Sequence, residues 1–129
     1  MEKLHIEATE RSPEIDFDFG RNVFAIRGES YPEDVPGFYG PVIKKLQDHF
    51  DGLEDADVAF NLELVYFNST SAKILMGLFE TLDETAEKGN RILINWHFEE
   101  DDDNMEELGQ EFGEDLEHAE FKMIAKAGS

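Results

Sequence analysis

The sequence has no cysteine among its 129 residues. Disulfides, zinc–thiolate sites and thiol nucleophiles are therefore excluded. It also has no apolar run as long as a membrane-spanning helix requires, and its first residues lack the apolar core of a secretory signal. We therefore expect a soluble cytoplasmic protein that does not associate with a membrane.

Basic residues are scarce: 11 Lys and Arg stand against 31 Asp and Glu, which gives a formal charge of −20. Such a charge repels the phosphate backbone of nucleic acids and anionic membrane surfaces. Binding to nucleic acid is therefore not expected, whereas a basic protein partner is compatible with this charge. The same acidic surface also keeps a protein soluble, so the charge alone does not identify a function.

The chain lacks the common catalytic and cofactor motifs. It contains no Gly-x-Ser-x-Gly, no glycine-rich phosphate loop and no nucleotide-binding fingerprint, and its four histidines lack metal-ligand spacing. The acidic run 99–103 lacks the spacing of a calcium loop and is better explained as the start of a helix. We predict no enzymatic activity, no metal and no cofactor. The alternative is a small hydrolase that uses carboxylates or a metal ion.

Length and hydrophobic content (129 residues, 40%) favour one domain over residues 1–129. Alternating apolar residues predict strands, and four-residue apolar spacing predicts helices. The predicted strands cover 15–19, 23–27, 58–66, 92–98 and 121–125. The predicted helices cover 38–50, 71–88 and a segment that Asp102 or Asp103 caps. Residues 28–37 are predicted to be a loop, so the order is β-β-α-β-α-β-α-β.

The strand 58–66 has a polar alternate face, which indicates that helices cover mainly one side of a mixed α/β sheet. The helix 71–88 is expected to bury Met76, Phe79 and Leu82 against this sheet. Phe60, Leu62 and Leu64 are the strand residues expected to meet Phe79 and Leu82.

The most informative segment joins the strand 58–66 to the following helix through Asn68, Ser69, Thr70 and Ser71. A hydroxyl at this junction caps the helix, and we expect Ser69 to be the cap. A phosphorylated hydroxyl there would place a dianion beside unpaired N–H groups and the positive end of the helix dipole.

Three segments together resemble the SiaC family of bacterial regulatory phosphoproteins: Gly28–Glu33, Tyr66–Met76, and Trp96-His97 followed by acidic residues and Glu111-Phe112. The family is similar in fold to the STAS-domain anti-sigma-factor antagonists, which carry a phosphorylatable Ser or Thr at the same turn. The resemblance therefore implies a STAS-like mixed sheet and a non-enzymatic partner-switching protein. It implies as partners a histidine-kinase-like Ser/Thr kinase, a PP2C-type phosphatase and a diguanylate cyclase, and hence a role in cyclic-di-GMP regulation.

Carried over by position, the phosphoacceptor is Ser69, with Thr70 and Ser71 as alternatives, because this chain has Ser-Thr where the family commonly has Thr-Ser. Asn68 and Lys73 are the residues expected to support the phosphate. Tyr31 and Glu33, in the first matching segment, are candidates for partner binding, provided that their loop lies near the 69–71 turn.

Overall fold

The computed structural model describes residues 3–127. In chain order the elements are β1 (Lys3–Ile6), β2 (Glu14–Asp18), β3 (Val23–Ser30), α1 (Val35–Asp51), β4 (Asp57–Phe67), α2 (Ser69–Glu87), β5 (Arg91–Glu99), α3 (Asp103–Glu114) and β6 (Glu120–Lys126). The six strands form one sheet in sequence order. β1, β2 and β3 pair antiparallel, whereas β3 to β6 pair parallel, so the sheet is mixed as predicted.

The core lies on one face of this sheet, as the alternating strands predict. Phe60, Leu62 and Leu64 are buried there in one cluster with Phe79 and Leu82 of α2. The same cluster includes side chains of α1 and α3. All three helices therefore cover one face, and α1 and α2 pack as expected.

The opposite face carries polar and charged side chains. Arg27 bonds to Glu14 and to Glu63, and Lys126 pairs with Glu63 as well. The alternation of buried and partly buried positions along β4 and β5 follows from this one-sided covering. Within residues 3–127, no helix is both long and apolar enough to cross a membrane.

The main differences from the sequence prediction are one additional strand and a shorter loop before α1. β1 was not predicted; it is a four-residue edge strand in which only Leu4 and Ile6 are apolar, too few to show a period. The expected loop 28–37 is also much shorter, since β3 continues to Ser30 and α1 begins at Val35. Pro36 lies in the first turn of α1, where the missing N–H costs no helical hydrogen bond.

Two assignments of side chains to helix faces were incomplete or wrong. Tyr39 of α1 is fully buried, although the four-residue apolar spacing that predicts this helix starts at Phe38 and does not include Tyr39. Met76, expected in the core, is 50% exposed, and Leu78 occupies a buried position instead. The physical reason is the same for both: several apolar residues are adjacent in sequence, and only packing decides which of them faces the sheet.

α3 begins as predicted, with the Asp102 carboxylate accepting the N–H of Met105 at 3.1 Å. Trp96 is buried beneath this helix, and its indole N–H donates to the Met105 carbonyl at 3.0 Å. The acidic run 99–103 therefore contributes a helix cap.

Candidate functional site

An irregularity near the end of β4 turns two large apolar side chains toward solvent. Gly28 pairs with Leu64 and Glu29 pairs with Tyr66, so Val65 is an extra residue on β4. Such bulges change the direction in which the following side chains point. Val65 is 56% exposed and Tyr66 is 50% exposed, whereas Phe67 returns to the core.

Asn68 caps α2, so the prediction that Ser69 is the cap was wrong. The Asn68 side-chain oxygen accepts the N–H of Ser71 at 2.8 Å, and its backbone is extended (φ −84°, ψ 173°). Its own N–H donates to the Ser30 carbonyl at 3.1 Å, which fixes the turn against the end of β3. Asn and Ser are both good cap residues, so the sequence did not distinguish between them.

Ser69 and Thr70 occupy the first turn of α2, and both are exposed. The first N–H groups of a helix have no intrahelical acceptor, and the helix dipole is positive there. An oxyanion attached to either hydroxyl therefore lies beside donors and a partial positive charge. The third hydroxyl of the run is placed differently.

Ser71 is fully buried. The Ser30 hydroxyl donates to the Ser71 oxygen at 3.0 Å, and the Tyr39 hydroxyl lies 2.6 Å from the Ser30 oxygen. Burial raises the pKa of Tyr39 to about 12, although the bond to Ser30 acts in the opposite direction. These three hydroxyls join β3, α1 and α2 in a part of the fold that is closed to solvent.

Tyr31 lies beside the turn, but Glu33 extends away into solvent. The Tyr31 ring contacts the Tyr66 ring edge to face, with 5.5 Å between the ring centres. The Tyr31 N–H donates to the Arg11 carbonyl, and the Arg11 guanidinium pairs with Glu33 at 2.9 Å. The Glu33 side chain remains 85% exposed in this pair.

Lys73 is exposed on α2 and makes no ion pair with any residue between 3 and 127. Ser69, Lys73 and Met76 follow one another at helical spacing, so they share one face of α2. Of the four exposed large hydrophobic residues in the described part of the chain, Val65 and Tyr66 precede the exposed hydroxyls in sequence and Met76 follows them on α2. Sequence reasoning missed all three, because neither the bulge nor the rotation of α2 is visible in the apolar pattern.

On the open sheet face, ion pairs shift the pKa values of Glu63 and His5, whereas burial lowers the pKa of His97. Burial alone would raise the pKa of Glu63, but hydrogen bonds from Lys126 and Arg27 lower it. The hydrogen bond to Glu14 raises the pKa of His5. Among the described residues, no group of three or more His, Asp or Glu side chains is arranged to hold a metal ion.

A concavity with a volume of about 600 Å³ lies at the opposite end of β4. Val23, Ala59 and Leu93, which pair in register, form its apolar floor. Arg21 and Arg91 also line it, and Arg91 is held by Asp55 and Asp57. It does not include any of the residues predicted to form the site.

Comparisons with known proteins agree with this architecture. The family model described as SiaC family regulatory phosphoprotein matches residues 6–126. An uncharacterized protein of Pseudomonas aeruginosa (strain UCBPP-PA14) is 31% identical over 116 residues, which cover 89% of this chain and 90% of that protein.

Two crystal structures from Pseudomonas aeruginosa are similar as well. That of apo-SiaC has a TM-score of 0.87 at 30% identity, and the match covers 97% of this chain and 100% of that chain. The second is the crystal structure of the diguanylate cyclase SiaD in complex with its activator SiaC. It matches with a TM-score of 0.89 at 28% identity, and the match covers 95% of this chain and 99% of that chain. The protein therefore belongs to the SiaC family of regulatory phosphoproteins.

Proposed function

We propose that this protein is a non-enzymatic switch whose partner binding is controlled by reversible phosphorylation at Ser69, with Thr70 as the alternative acceptor. The observation that carries this proposal is the exposure of both hydroxyls at the first turn of α2, beside exposed apolar side chains. Ser71 is disfavoured as the acceptor because a kinase would first have to extract it from the core.

A phosphate on Ser69 fits the local electrostatics. The helix dipole stabilises an anion there by about 0.3–1 kcal/mol at an exposed position. Lys73 lies one turn further along the helix without a competing carboxylate in the described chain, so its ammonium can pair with the phosphate. Asn68 keeps the turn in place, since its bonds to Ser71 and Ser30 do not involve the Ser69 hydroxyl. We therefore expect phosphorylation to leave the fold intact.

The phosphate is expected to change partner binding at the surface beside Ser69. Tyr31 and Tyr66, whose rings are in contact, and the exposed Val65 next to Tyr66 form what we call the apolar patch beside the turn. Burying this patch against a partner would require removing water from a dianion at Ser69, which is unfavourable. The unphosphorylated form is thus the form that binds a partner through the patch, and the exposed Glu33, paired with Arg11, is available to the same partner.

The partners that we propose are a histidine-kinase-like Ser/Thr kinase, a PP2C-type phosphatase and a diguanylate cyclase. Support for the cyclase comes from the similarity to SiaC in its complex with SiaD. The kinase and the phosphatase follow from the resemblance of the Asn68–Lys73 segment to the family's phosphorylated turn. In this role the protein regulates the synthesis of cyclic-di-GMP.

The test measures the affinity of the chain for the diguanylate cyclase of the same organism. Ser69→Ala should bind as the unmodified protein does, and the Ser69-phosphorylated protein should bind at least about tenfold more weakly. Ser69→Asp should weaken binding less than the phosphate does. Thr81→Ala, a hydroxyl variant further along α2, is the control and should not change binding. Equal affinities of the phosphorylated and unmodified forms would contradict the proposal.

A further inference from the structure

A narrow groove lies between α2 and α3, on the face of α2 that also carries Ser69. Its apolar floor consists of Met76, Phe79, Phe112 and Leu116. Its volume of about 90 Å³ equals that of roughly three water molecules, so it accepts one apolar side chain. We call it the α2–α3 groove.

The rim of this groove is acidic and its charges are not neutralised. Glu80, Glu111 and Asp115 line the groove and are exposed, and none of them has a basic partner among residues 3–127. α2 and α3 together carry nine carboxylates and one lysine. The surface around the groove is thus strongly negative and lacks internal compensation.

Two of these carboxylates also destabilise α3. Glu111 and Asp115 lie at the C-terminal end of α3, whose last turn contains no basic residue. The helix dipole is negative at that end, so carboxylates there are unfavourable in the free protein. A bound cationic group would relieve both this repulsion and the repulsion between the rim carboxylates. Acidic groups in this position therefore indicate a basic ligand, independently of the shape of the groove.

We propose that the α2–α3 groove binds a basic amphipathic helix of a partner protein. One apolar side chain of that helix enters between Phe79 and Phe112, while lysine or arginine side chains meet Glu80, Glu111 and Asp115. This is the helix-in-groove mode, in which apolar anchors give affinity and flanking charges give orientation.

This inference extends the proposed function, because Met76 of the groove and the proposed phosphoacceptor Ser69 share one face of α2. Ser69 precedes Met76 by seven residues, which is about 10 Å along the helix axis. A partner helix seated in the groove therefore reaches the phosphoacceptor. The groove contributes the salt-dependent part of binding, whereas the phosphate acts through desolvation at the patch.

The test uses the full unphosphorylated chain and a synthetic amphipathic helix of leucine and lysine, roughly 18 residues long. A peptide with glutamate in place of lysine serves as the comparison. Isothermal titration calorimetry should detect binding of the lysine peptide alone, with an affinity that falls as salt is raised. In two-dimensional NMR, the largest shift changes should lie within residues 76–83 and 111–116.

The variants separate the groove from the general acidity of the chain. Glu80→Gln with Glu111→Gln should weaken binding of the lysine peptide by about tenfold. Glu84→Gln with Glu107→Gln makes the same change in net charge on the same helices, outside the groove, and should weaken it by less than about twofold. Met76→Gln should also weaken binding, because it removes an apolar contact.

An equal effect of the two double variants would overturn the proposal, because binding would then reflect net charge alone. Comparable binding of the glutamate peptide would overturn it as well. The experiment involves no kinase, so the groove can bind the lysine peptide even if the chain is never phosphorylated. Conversely, the chain can be phosphorylated and switch partners without binding this peptide in the groove. The two proposals are therefore tested separately.

Discussion

The side-chain oxygens of Ser30 and Ser71 lie 3.0 Å apart although the two residues are 41 positions apart in sequence. This hydrogen bond joins the end of β3 to the first turn of α2 inside the core. Three consecutive hydroxyls, equivalent in the sequence, thus have two different roles. Ser69 and Thr70 face solvent, whereas Ser71 holds the turn in place.

Replacing Ser71 with alanine should cost stability but not phosphorylation. Ser30 keeps its bond to Tyr39, so only one hydrogen bond is lost, and the expected decrease in the free energy of unfolding is about 1 kcal/mol. Urea denaturation measures this loss. The amount of phosphate incorporated with the cognate kinase should equal that of the unmodified sequence, and a large decrease would identify Ser71 as the acceptor.

Truncating Phe79 to alanine should remove a central part of the core. Phe79 is buried and contacts Trp96 and Phe112 edge to face. Loss of a buried aromatic side chain costs about 3–5 kcal/mol, because the cavity closes only in part. Met76→Ala, on an exposed position of the same helix, is the matched control and should cost less than about 1 kcal/mol. Similar losses for the two variants would mean that the buried face of α2 is wrongly assigned.

Asp83 should stabilise the fold in a pH-dependent way. Burial alone would raise its pKa, but backbone N–H groups of Ala119, His118 and Glu117 donate to its carboxylate and lower the pKa. A carboxylate whose pKa is lowered on folding stabilises the folded state. This stabilisation is fully present above the pKa of the unfolded chain, near 4, and is lost as the pH falls through the pKa of the folded state.

Asp83→Ala should therefore lower the free energy of unfolding by roughly 1–3 kcal/mol at pH 7. The difference between the variant and the unmodified protein should shrink as pH falls below about 4. Denaturant titrations across this range measure it. Glu84→Ala, on the neighbouring exposed residue, should show no such pH dependence. A difference that stays constant with pH would exclude the carboxylate as its source.

Tyr31→Ala tests whether the apolar patch binds the partner. The ring is half-buried against Tyr66, so we expect a stability loss of about 1 kcal/mol and a clear loss of affinity for the cyclase. Glu33→Ala removes only an exposed charge paired with Arg11 and should change affinity less. If Tyr31→Ala left both stability and affinity unchanged, Tyr31 would belong to neither the core edge nor the partner surface.

The strands and the one-sided sheet were predictable because burial on one face imposes alternation, as in Phe60, Leu62 and Leu64. The residues around the turn were less predictable, for local reasons. Asn68 and Ser69 are equivalent caps on sequence grounds, and a shift of one residue exchanges their roles. The exposure of Tyr66 depends on the bulge at Val65, which arises from pairing with β3 and leaves no trace in the pattern of β4 itself.

The most direct test of the account is phosphopeptide mapping by mass spectrometry after co-expression with the cognate kinase. We predict one phosphate per chain on Ser69, its absence in Ser69→Ala, and its removal by the cognate phosphatase. A single phosphate on Thr70 would agree with the proposed switch but would identify Thr70 as the acceptor in place of Ser69. Modification outside residues 69–71, or no modification with an active kinase present, would contradict the central claim.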